Sequence, residues 1–584
     1  MHLSRFTPLL FGLFFAASFM LLQYQHLHIS HSKISVAGEP STEVSLPYSL
    51  KIPGKQILHL DADIIRFPFS TTTLRIIPDD CIETLLVNGQ FIDLRALKGR
   101  CDWSHGMTVD LGDRLHHGTN RLEITVAKKD GVGGINVFGT ANLLTPWHIA
   151  LSVTAMLALF GFILTLSRRT LELPLRILLG LAAVLALHYL SYTDYAVRTF
   201  DLLISTGHLD YIKMIAEQLR FPNPTQGWEY HQPPLYYLIA AAVYAFFRAV
   251  ALIEPMTALQ LLSLSLFIIF LYYGLRILQA VITEPFLRFI AASLLVFWPS
   301  GIIHSVRIGN DSLFYALFAA ALYAVIRWKQ GSSFWPALVL AALALITKAN
   351  GIILFGIIGI VLLNDLRQTK NFRHFFRMSG LATVFFLAAF FVNFADNIYY
   401  AATQSGQDWL VSNVVNTINS KLFVVNDPFH YLYFDLKTYL KEPFIDAWHD
   451  RYGRQFFWNY LLKSSLFSEF SFPGRILAAS VMSALSLLIF VYIGIGMMHA
   501  RRRQADFIMF STLILSILAL LLYRIKIPVA CNTDFRYIFP ILIPMAFFFA
   551  RAIEHFRHRN LPVPFALGIA TLAAFDLGTF WLFF

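Results

Sequence analysis

Acidic, basic and aromatic side chains gather in one polar stretch between two apolar runs, from residue 191 to residue 233. Within it, Asp201, His208 and Tyr211 are separated by 7 and 3 residues, and on a helix these spacings return to the same face. An aspartate on that face can act as the general base for an acceptor hydroxyl. The same pattern is also typical of a solvated interfacial helix with ordinary capping residues.

Asp201, His208 and Glu229 are also candidate ligands for a divalent cation, because carboxylate and imidazole groups bind metals. No His-x-x-x-His spacing occurs, so the sequence leaves a metal cofactor open. The chain has no P-loop, no G-x-G-x-x-G and no nucleophile elbow. These absences argue against a nucleotide-powered pump and against a nucleotide-sugar site of the Rossmann type.

The elements that must position these residues are mostly membrane helices. Hydrophobic residues make up 57% of the 584, charged residues only 14%, and the mean hydropathy is +0.59. A soluble protein needs about 25% charged residues to cover its surface. The chain is therefore predicted to be a polytopic α-helical membrane protein.

The net charge of +11 would point to nucleic acid on a soluble protein. Here the basic residues cluster in short loops between apolar runs, at 168–169, 367–377, 501–503 and 551–559. This is the positive-inside pattern of cytoplasmic loops, so nucleic acid is not an expected partner.

Two segments precede the main apolar region. Residues 1–29 combine a weak basic flank with an apolar run and lack a small-residue cleavage site, which predicts an uncleaved anchor with a cytoplasmic N-terminus. Residues 30–145 are polar, with alternation at 73–77 and 121–126 and turn signals such as Asn88-Gly89. This pattern predicts a β-sandwich of about 110 residues on the outer side of the membrane.

Two of the three cysteines, Cys81 and Cys101, fall in the predicted sandwich. In an exported domain such a pair favours a disulfide, which by chain entropy would contribute about 3 kcal/mol. The alternative is two unpaired core cysteines. Cys531 is left over.

Residues 146–584 are predicted to form the transmembrane domain. With the anchor, the apolar runs give about 12 to 14 spans at ~20 residues for each crossing. The runs 334–347 and 351–363 are short and are interpreted as half-helices. The stretches 191–233 and 396–473 are too long to be simple connectors, so they are predicted to be outer loops that wall an active site.

Sidedness conflicts with simple counting in one place. The basic residues at 327–329 and at 365–377 both favour the cytoplasm, yet strict alternation of spans would put the first group outside. One run between 257 and 303 is therefore predicted not to cross fully. That places Asp311 on the outer side.

The end of the first long loop, Trp228-Glu229-Tyr230-x-x-Pro233-Pro234-Leu235-Tyr236-Tyr237, follows an aspartate and opens an apolar run. This arrangement resembles the GT-C membrane glycosyltransferases, and within them the protein-mannosyltransferase-like branch that includes the lipid A aminoarabinose transferases. Other segments within about 170–550 are also similar to that branch, in the same order. They are 304–313, 347–351, 462–467 and 534–540.

The resemblance implies an inverting enzyme that takes a sugar from a polyprenyl-phosphate carrier and passes it to an acceptor on the non-cytoplasmic face. It implies that Asp201 is the catalytic acid/base, or a metal-associated carboxylate, of the first loop. His208 and Glu229 are the other candidate catalytic residues. Asp194, Asp210 and Glu229 compete for the role of a second acid in that loop. A second acidic site in a later loop would correspond to Asp311.

Such a reaction needs a cation at the carrier phosphate, because charge develops there as the bond breaks. The candidates are Arg198, Lys348, Lys463 and Arg536. Lys348 lies between two apolar runs, where a cation is either functional or snorkels to the interface. Only Asp534, beside Arg536, is a carboxylate within four residues of Lys348 or Arg536, so a phosphate is the predicted missing partner.

Together with these features, the resemblance implies a glycosyltransferase of the bacterial inner membrane, with its active site and β domain on the periplasmic side. Its partners would be an undecaprenyl-phosphate sugar, membrane lipid, and a polysaccharide, lipopolysaccharide, lipid-linked glycan or protein acceptor. The alternatives are a transporter or flippase, which would need inverted repeats that are not evident, and a polymerase or ligase of lipid-linked glycans. The sandwich resembles jelly-roll sugar-binding modules, and a glycan-binding role and a structural cap are equally compatible with it.

Overall fold

The computed structural model describes residues 3–36, 39–44, 46–51, 54–102, 106–128, 132–140, 145–202, 206–224, 226–250, 253–403, 418–472, 474–500 and 503–584.

After the N-terminal helix, the chain forms an antiparallel β region. The described strands are β1 His28–Val36, β2 Thr42–Glu43, β3 Tyr48–Lys51, β4 Gln56–Arg66, β5 Thr73–Pro78, β6 Cys81–Val87, β7 Gln90–Phe91, β8 Met107–Asp110, β9 Gly118–Lys128 and β10 Val132–Gly139. They make one sheet in the order β2-β1-β4-β9-β6-β7 and a second in the order β3-β10-β5-β8.

Alternation along the strands gives this region its core. Leu58, Leu60 and Ile64 of β4 are buried because every second side chain of a strand points to the same face. They belong to one hydrophobic cluster with Leu74 of β5 and Val109 of β8, which come from the other sheet. The two sheets thus share a core, and the prediction of an N-terminal β region is confirmed.

Most of the chain after the β region is helical. Within the described residues they are α1 Leu3–Gln23, α2 Pro146–Leu166, α3 Leu173–Tyr192, α4 His208–Gln218, α5 Leu235–Val250, α6 Pro255–Val281, α7 Pro285–Val296, α8 Pro299–His304, α9 Asn310–Lys329, α10 Trp335–Thr347, α11 Ile352–Thr369, α12 Phe372–Thr403, α13 Pro428–Leu432, α14 Leu436–Lys441, α15 Phe457–Phe467, α16 Ile476–Met498, α17 Gln504–Lys526, α18 Leu542–His558 and α19 Pro562–Phe583.

Eleven helical segments of the described chain are long and apolar enough to cross a membrane. The protein is thus a multi-pass membrane protein, with about 11 candidate spans rather than the 12 to 14 predicted. The difference comes from α5, α7 and α10, which are apolar but have only 16, 12 and 13 residues. A helix of 12 residues is about 18 Å long, well short of the ~30 Å hydrocarbon core.

The helix breaks account for these short elements. The run 286–303 is interrupted where α7 ends and Pro299 begins α8, as expected for a run between 257 and 303 that does not cross as one helix. The run 351–363, predicted as a half-helix, instead lies in α11, which has 18 residues and with the preceding turn forms a candidate span. The sequence could not show that α11 continues through the polar residues at its end.

The two predicted outer loops are largely structured. The first contains α4, and its Pro234 carbonyl accepts a hydrogen bond from the N–H of Leu238 at the start of α5. In the second, α12 extends to Thr403, and three short helices lie between residues 428 and 467. Residues 404–417 of that predicted loop lie outside the described part of the chain.

Cys81 at the start of β6 and Cys101 are joined by a disulfide, as predicted. Cys531 is a free cysteine.

We expect protein purified without reductant, denatured and treated with a thiol reagent to incorporate one label per chain, at Cys531. Treatment with reductant before labelling should raise this to three. Intact-mass and peptide spectrometry would locate the labels. Labels on Cys81 and Cys101 without reduction would contradict the disulfide.

Candidate active site

The loop before α4 folds back onto the start of that helix. The N–H of His208 donates to the carbonyl of Asp201 (2.9 Å), and the N–H of Leu209 donates to the carbonyl of Leu202 (3.2 Å). Asp201 has a φ of 47°, a left-handed conformation that is uncommon for a residue other than glycine. Such conformations cost energy and concentrate at functional sites.

The prediction that Asp201, His208 and Tyr211 share one helix face is wrong in one respect. His208 and Tyr211 both lie on α4, but α4 begins at His208 and Asp201 lies in the preceding loop. Tertiary folding of the loop, and not helical periodicity, brings Asp201 next to His208.

Glu229 is the first-loop acid that joins this pair. Its N–H donates to the carbonyl of Thr206 (3.0 Å), and the N–H of Trp228 donates to the hydroxyl of the same threonine (2.9 Å). The carboxylate of Glu229 is buried, with Oε2 3.7 Å from Nδ1 of His208. That oxygen has no hydrogen-bond partner among the described residues.

The two competing acids have other partners. Asp194 accepts a hydrogen bond from the N–H of Ala196 (2.8 Å), and Asp210 accepts one from the N–H of Thr206 (2.6 Å). Both carboxylates shape turns of the loop. Of the three candidates for a second acid, the structure brings only Glu229 to the pair.

Burial controls the ionisation of this group. Burial raises the pKa of Asp201 and the charge of Glu229 raises it further, while Arg536, His208 and a hydrogen bond from Trp228 lower it. Burial also raises the pKa of Glu229. It lowers the pKa of His208 to about 4, so the ring is neutral at pH 7 and its contact with Glu229 is not an ion pair. The ring's Nδ1 lies 2.6 Å from the hydroxyl of Tyr237.

Arg536 is the cation of this cluster. Its guanidinium lies over the ring of Phe200, 3.9 Å from the ring centroid. Phe200 directly precedes Asp201 in the sequence. Its Nη2 donates to the hydroxyl of Tyr537 (3.1 Å), and its Nε is 3.8 Å from Oδ2 of Asp534. That Nε has no hydrogen-bond partner in the part of the chain that the structure describes.

Lys348 differs from the prediction, because it has a carboxylate partner. Its ammonium is paired with Asp311, and it lies 4.9 Å from the ring centroid of Tyr537. The pair forms because Lys348 stands at the break between α10 and α11 while Asp311 lies in the first turn of α9. Both residues act on the pKa of His208, which puts them beside the same cluster.

Arg198 lies at the edge of the site. Its Nε donates to the carbonyl of Ser471 (3.3 Å), and its guanidinium packs over Phe472 at 4.0 Å. It is half-buried and has a left-handed φ of 52°.

Lys463 has different neighbours, so the structure does not bring it to the other predicted cations. It is fully buried in α15 and donates to the carbonyls of Thr438 (3.2 Å) and Tyr452 (2.8 Å). Burial lowers its pKa to about 8, with the charges of Glu442 and Asp435 opposing that shift. These contacts are those of a lysine that joins neighbouring segments of the second long loop.

Sequence reasoning missed two residues. Glu469 accepts a hydrogen bond from the hydroxyl of Tyr460 (2.5 Å). Burial raises the pKa of Glu469, the charge of Arg536 lowers this pKa, and the charge of Asp201 raises it. Glu469 is the sole acid between Asp450 and Asp506, a signal that could have identified it.

The second missed residue is Arg307, which was part of the segment 304–313. It donates to the carbonyl of Val197 and to the hydroxyl of Tyr189 (3.3 Å). These bonds tie the start of the loop that carries Asp201 to α3.

A preassembled metal site is not present among the described residues, where no three His, Cys, Asp or Glu side chains are grouped to hold an ion. Asp201, His208 and Glu229 are close together, yet they do not form such a set. The arrangement they do form is a buried acid pair with a neutral histidine and an arginine.

No family model and no curated protein matches this chain. Among solved structures, the crystal structure of ArnT from Cupriavidus metallidurans bound to undecaprenyl phosphate is similar, with 11% sequence identity and a TM-score of 0.31. The similarity covers 65% of this chain and 77% of that one. A TM-score of this size does not establish a common fold.

Proposed function

We propose that this protein is a membrane glycosyltransferase that moves a sugar from a polyprenyl-phosphate carrier to an acceptor hydroxyl on the non-cytoplasmic face. One observation carries the proposal. Asp201 and Arg536 belong to the same buried cluster, with Phe200 under the guanidinium and the charge of Arg536 acting on the carboxylate. A base for a hydroxyl and a cation for a phosphate are the two groups that this transfer needs.

In the proposed reaction the acceptor oxygen attacks the anomeric carbon of the sugar. Asp201 takes the hydroxyl proton as the new carbon–oxygen bond forms. The bond from the anomeric carbon to the carrier oxygen breaks, and its electron pair leaves with the polyprenyl phosphate. Arg536 stabilises the negative charge that grows on that phosphate.

The unused hydrogen-bond donors of the candidate cations support Arg536 as the main phosphate ligand. Lys348 is already paired with Asp311, so its charge is compensated. Arg536 keeps an Nε that makes no hydrogen bond in the described chain. A guanidinium with an available edge suits a phosphate, which accepts two parallel hydrogen bonds. Lys348 and Arg198 are then secondary contributors.

The position of the cluster supports a lipid-linked donor. Asp311 lies in the first turn of α9, Lys348 lies at the start of the span that includes α11, and Arg536 lies in the span 530–558. A carrier whose polyprenyl chain is dissolved in lipid can bring its phosphate to such helix ends without leaving the membrane.

Charge asymmetry supports a non-cytoplasmic site. The helices α9 and α11 each have one end beside the cluster, at Asp311 and just after Lys348. Their opposite ends carry Arg327 and Lys329, and Arg367 respectively. Basic residues favour the cytoplasmic side, so the cluster is expected to face the periplasm of a bacterial inner membrane.

Asp201→Asn should lower transfer by about 10²- to 10⁴-fold, because the amide cannot accept the hydroxyl proton. The melting temperature should stay close to that of the wild type, since the amide is nearly isosteric. Turnover of a labelled polyprenyl-phosphate sugar measures the effect. Asp427→Asn, which changes a helix-capping aspartate on the exposed turn before α13, is the matched control and should keep its activity. Retention of more than about a tenth of the turnover by Asp201→Asn would exclude Asp201 as the base.

The acid limb of the pH profile should report Asp201. A raised pKa means that the base is lost as pH falls through a value above the ordinary ~3.9 of an aspartate. Glu229→Gln removes the negative charge that raises this pKa, so the midpoint of the limb should move to lower pH. The measurement is kcat/KM as a function of pH for both proteins. A midpoint that stays in place or rises would show that Glu229 does not act on the base.

Arg536→Gln should raise the KM for the donor by about tenfold or more, because a hydrogen bond to a charged group contributes ~1.5–3 kcal/mol. Arg536→Lys should show a smaller rise, since it keeps the charge but loses the planar fork. The KM for the acceptor should change less in both variants.

Lys463→Met is the control for this measurement, because it also removes a buried cation. It should lower the melting temperature, since two buried carbonyls lose their donor at about 1–3 kcal/mol each, and leave the donor KM unchanged. A wild-type donor KM in Arg536→Gln would instead assign the phosphate to Lys348 or Arg198.

A further inference from the structure

A separate cleft lies beside the proposed active site, between the β region and the helices α4 and α5. Its volume is about 550 Å³, and its walls come from Glu43, Val44, Pro47 and Tyr48 of the β region and from α4 and the end of α5. Small-molecule sites commonly have volumes of ~300–1,000 Å³. The cleft is therefore large enough for part of a substrate.

The wall from the β region is largely apolar and aromatic. Val44, Pro47 and Tyr48 line it, and each is only partly buried. Tyr48 lies in β3, one of the two edge strands of the four-stranded sheet, where pairing with β10 fixes its position. The N–H of Val44 donates to the carbonyl of Ser32 (2.8 Å), which holds this segment against β1.

The wall from the helices is charged. Asp210, Lys213 and Glu217 lie on α4 at spacings of 3 and 4 residues, which places them on one face. Arg248 at the end of α5 pairs with Glu217. With Glu43 on the other wall, the lining has three acids and two bases. A net negative lining is unsuited to a phosphate or another polyanion, but it offers many hydrogen-bonding groups.

The cleft and the catalytic cluster share a wall. Leu202, the neighbour of Asp201 in sequence, lines the cleft, and its carbonyl accepts from the N–H of Leu209. The carboxylate of Asp210 accepts a hydrogen bond from the N–H of Thr206. The carbonyl of Thr206 in turn accepts one from the N–H of Glu229. A group bound in the cleft is thus separated from the proposed base by one turn of the loop.

We infer that this cleft binds the acceptor, and that the acceptor is an uncharged glycan. A pyranose ring has one face of C–H groups, which suits the wall of Val44, Pro47 and Tyr48. Its hydroxyls suit charged side chains, whose hydrogen bonds are the stronger kind. This inference rests on the proposed function and narrows its acceptor to a neutral sugar chain. The β region then has a role in substrate binding, as one wall of the acceptor site.

The test measures binding separately from transfer. The full chain in lipid nanodiscs is exposed to deuterium with methyl α-glucopyranoside, methyl α-mannopyranoside or methyl α-galactopyranoside, and with glucose 6-phosphate as the anionic comparison. At least one neutral glycoside should slow exchange saturably in segments 42–51 and 206–218. Tyr48→Ala and Lys213→Gln should each weaken this protection about tenfold or more. Glu123→Gln, on the exposed face of the six-stranded sheet, should leave it unchanged.

The inference is overturned if no glycoside slows exchange in these segments, if glucose 6-phosphate alone does so, or if protection persists in Lys213→Gln. Lys213→Gln changes a helix residue and keeps the β strands intact, so the test does not depend on the folding of Tyr48→Ala. A wild-type protein that transfers sugar but shows no protection would overturn the acceptor site alone. A wild-type protein that shows protection but transfers no sugar would overturn the proposed function and leave the glycan site.

Discussion

Arg536 is only 8% exposed near the start of a segment long enough to cross a membrane, and much of the site is arranged around its charge. A buried cation without compensation would cost several kcal/mol, so polar groups must be brought to it from distant parts of the chain. Asp534 comes from its own segment, Asp201 from the first long loop and Glu469 from the second. Without the arginine, the ionised forms of these acids would repel one another.

The loop that carries Asp201 has its own constraints. Arg307 donates a hydrogen bond to the carbonyl of Val197. The carbonyl of Asp201 accepts a hydrogen bond from the N–H of His208, the first residue of α4. Thr206 then binds the backbone of Trp228 and Glu229, so the two acids of the pair are positioned by one threonine and one helix start. The left-handed backbone at Asp201 is tolerated because these bonds fix the loop on both sides.

Composition and patterning predicted the membrane class, the β region and the disulfide, because each depends on properties that are local in sequence. The pairing of Lys348 with Asp311 was not predictable in this way, since 37 residues and two helices separate the partners. For the same reason Lys463 looked like a candidate phosphate ligand, although its ammonium donates to two backbone carbonyls of neighbouring segments. Helical periodicity grouped Asp201 with His208 correctly but for the wrong reason, because α4 starts after the loop has turned.

The balance of charge in the cluster also bears on how the proposed anionic donor would be accommodated. Arg536 and Lys348 face the five carboxyl groups of Asp201, Glu229, Asp311, Glu469 and Asp534. Burial raises the pKa values of Asp201, Glu229 and Glu469, so their neutral forms are favoured relative to the same groups in water. The phosphate of the proposed donor would add further negative charge beside Arg536, which would favour the neutral forms still more. In the proposed reaction Asp201 must be ionised to act as the base, so Glu469 is the group on which a proton can reside while the reaction proceeds.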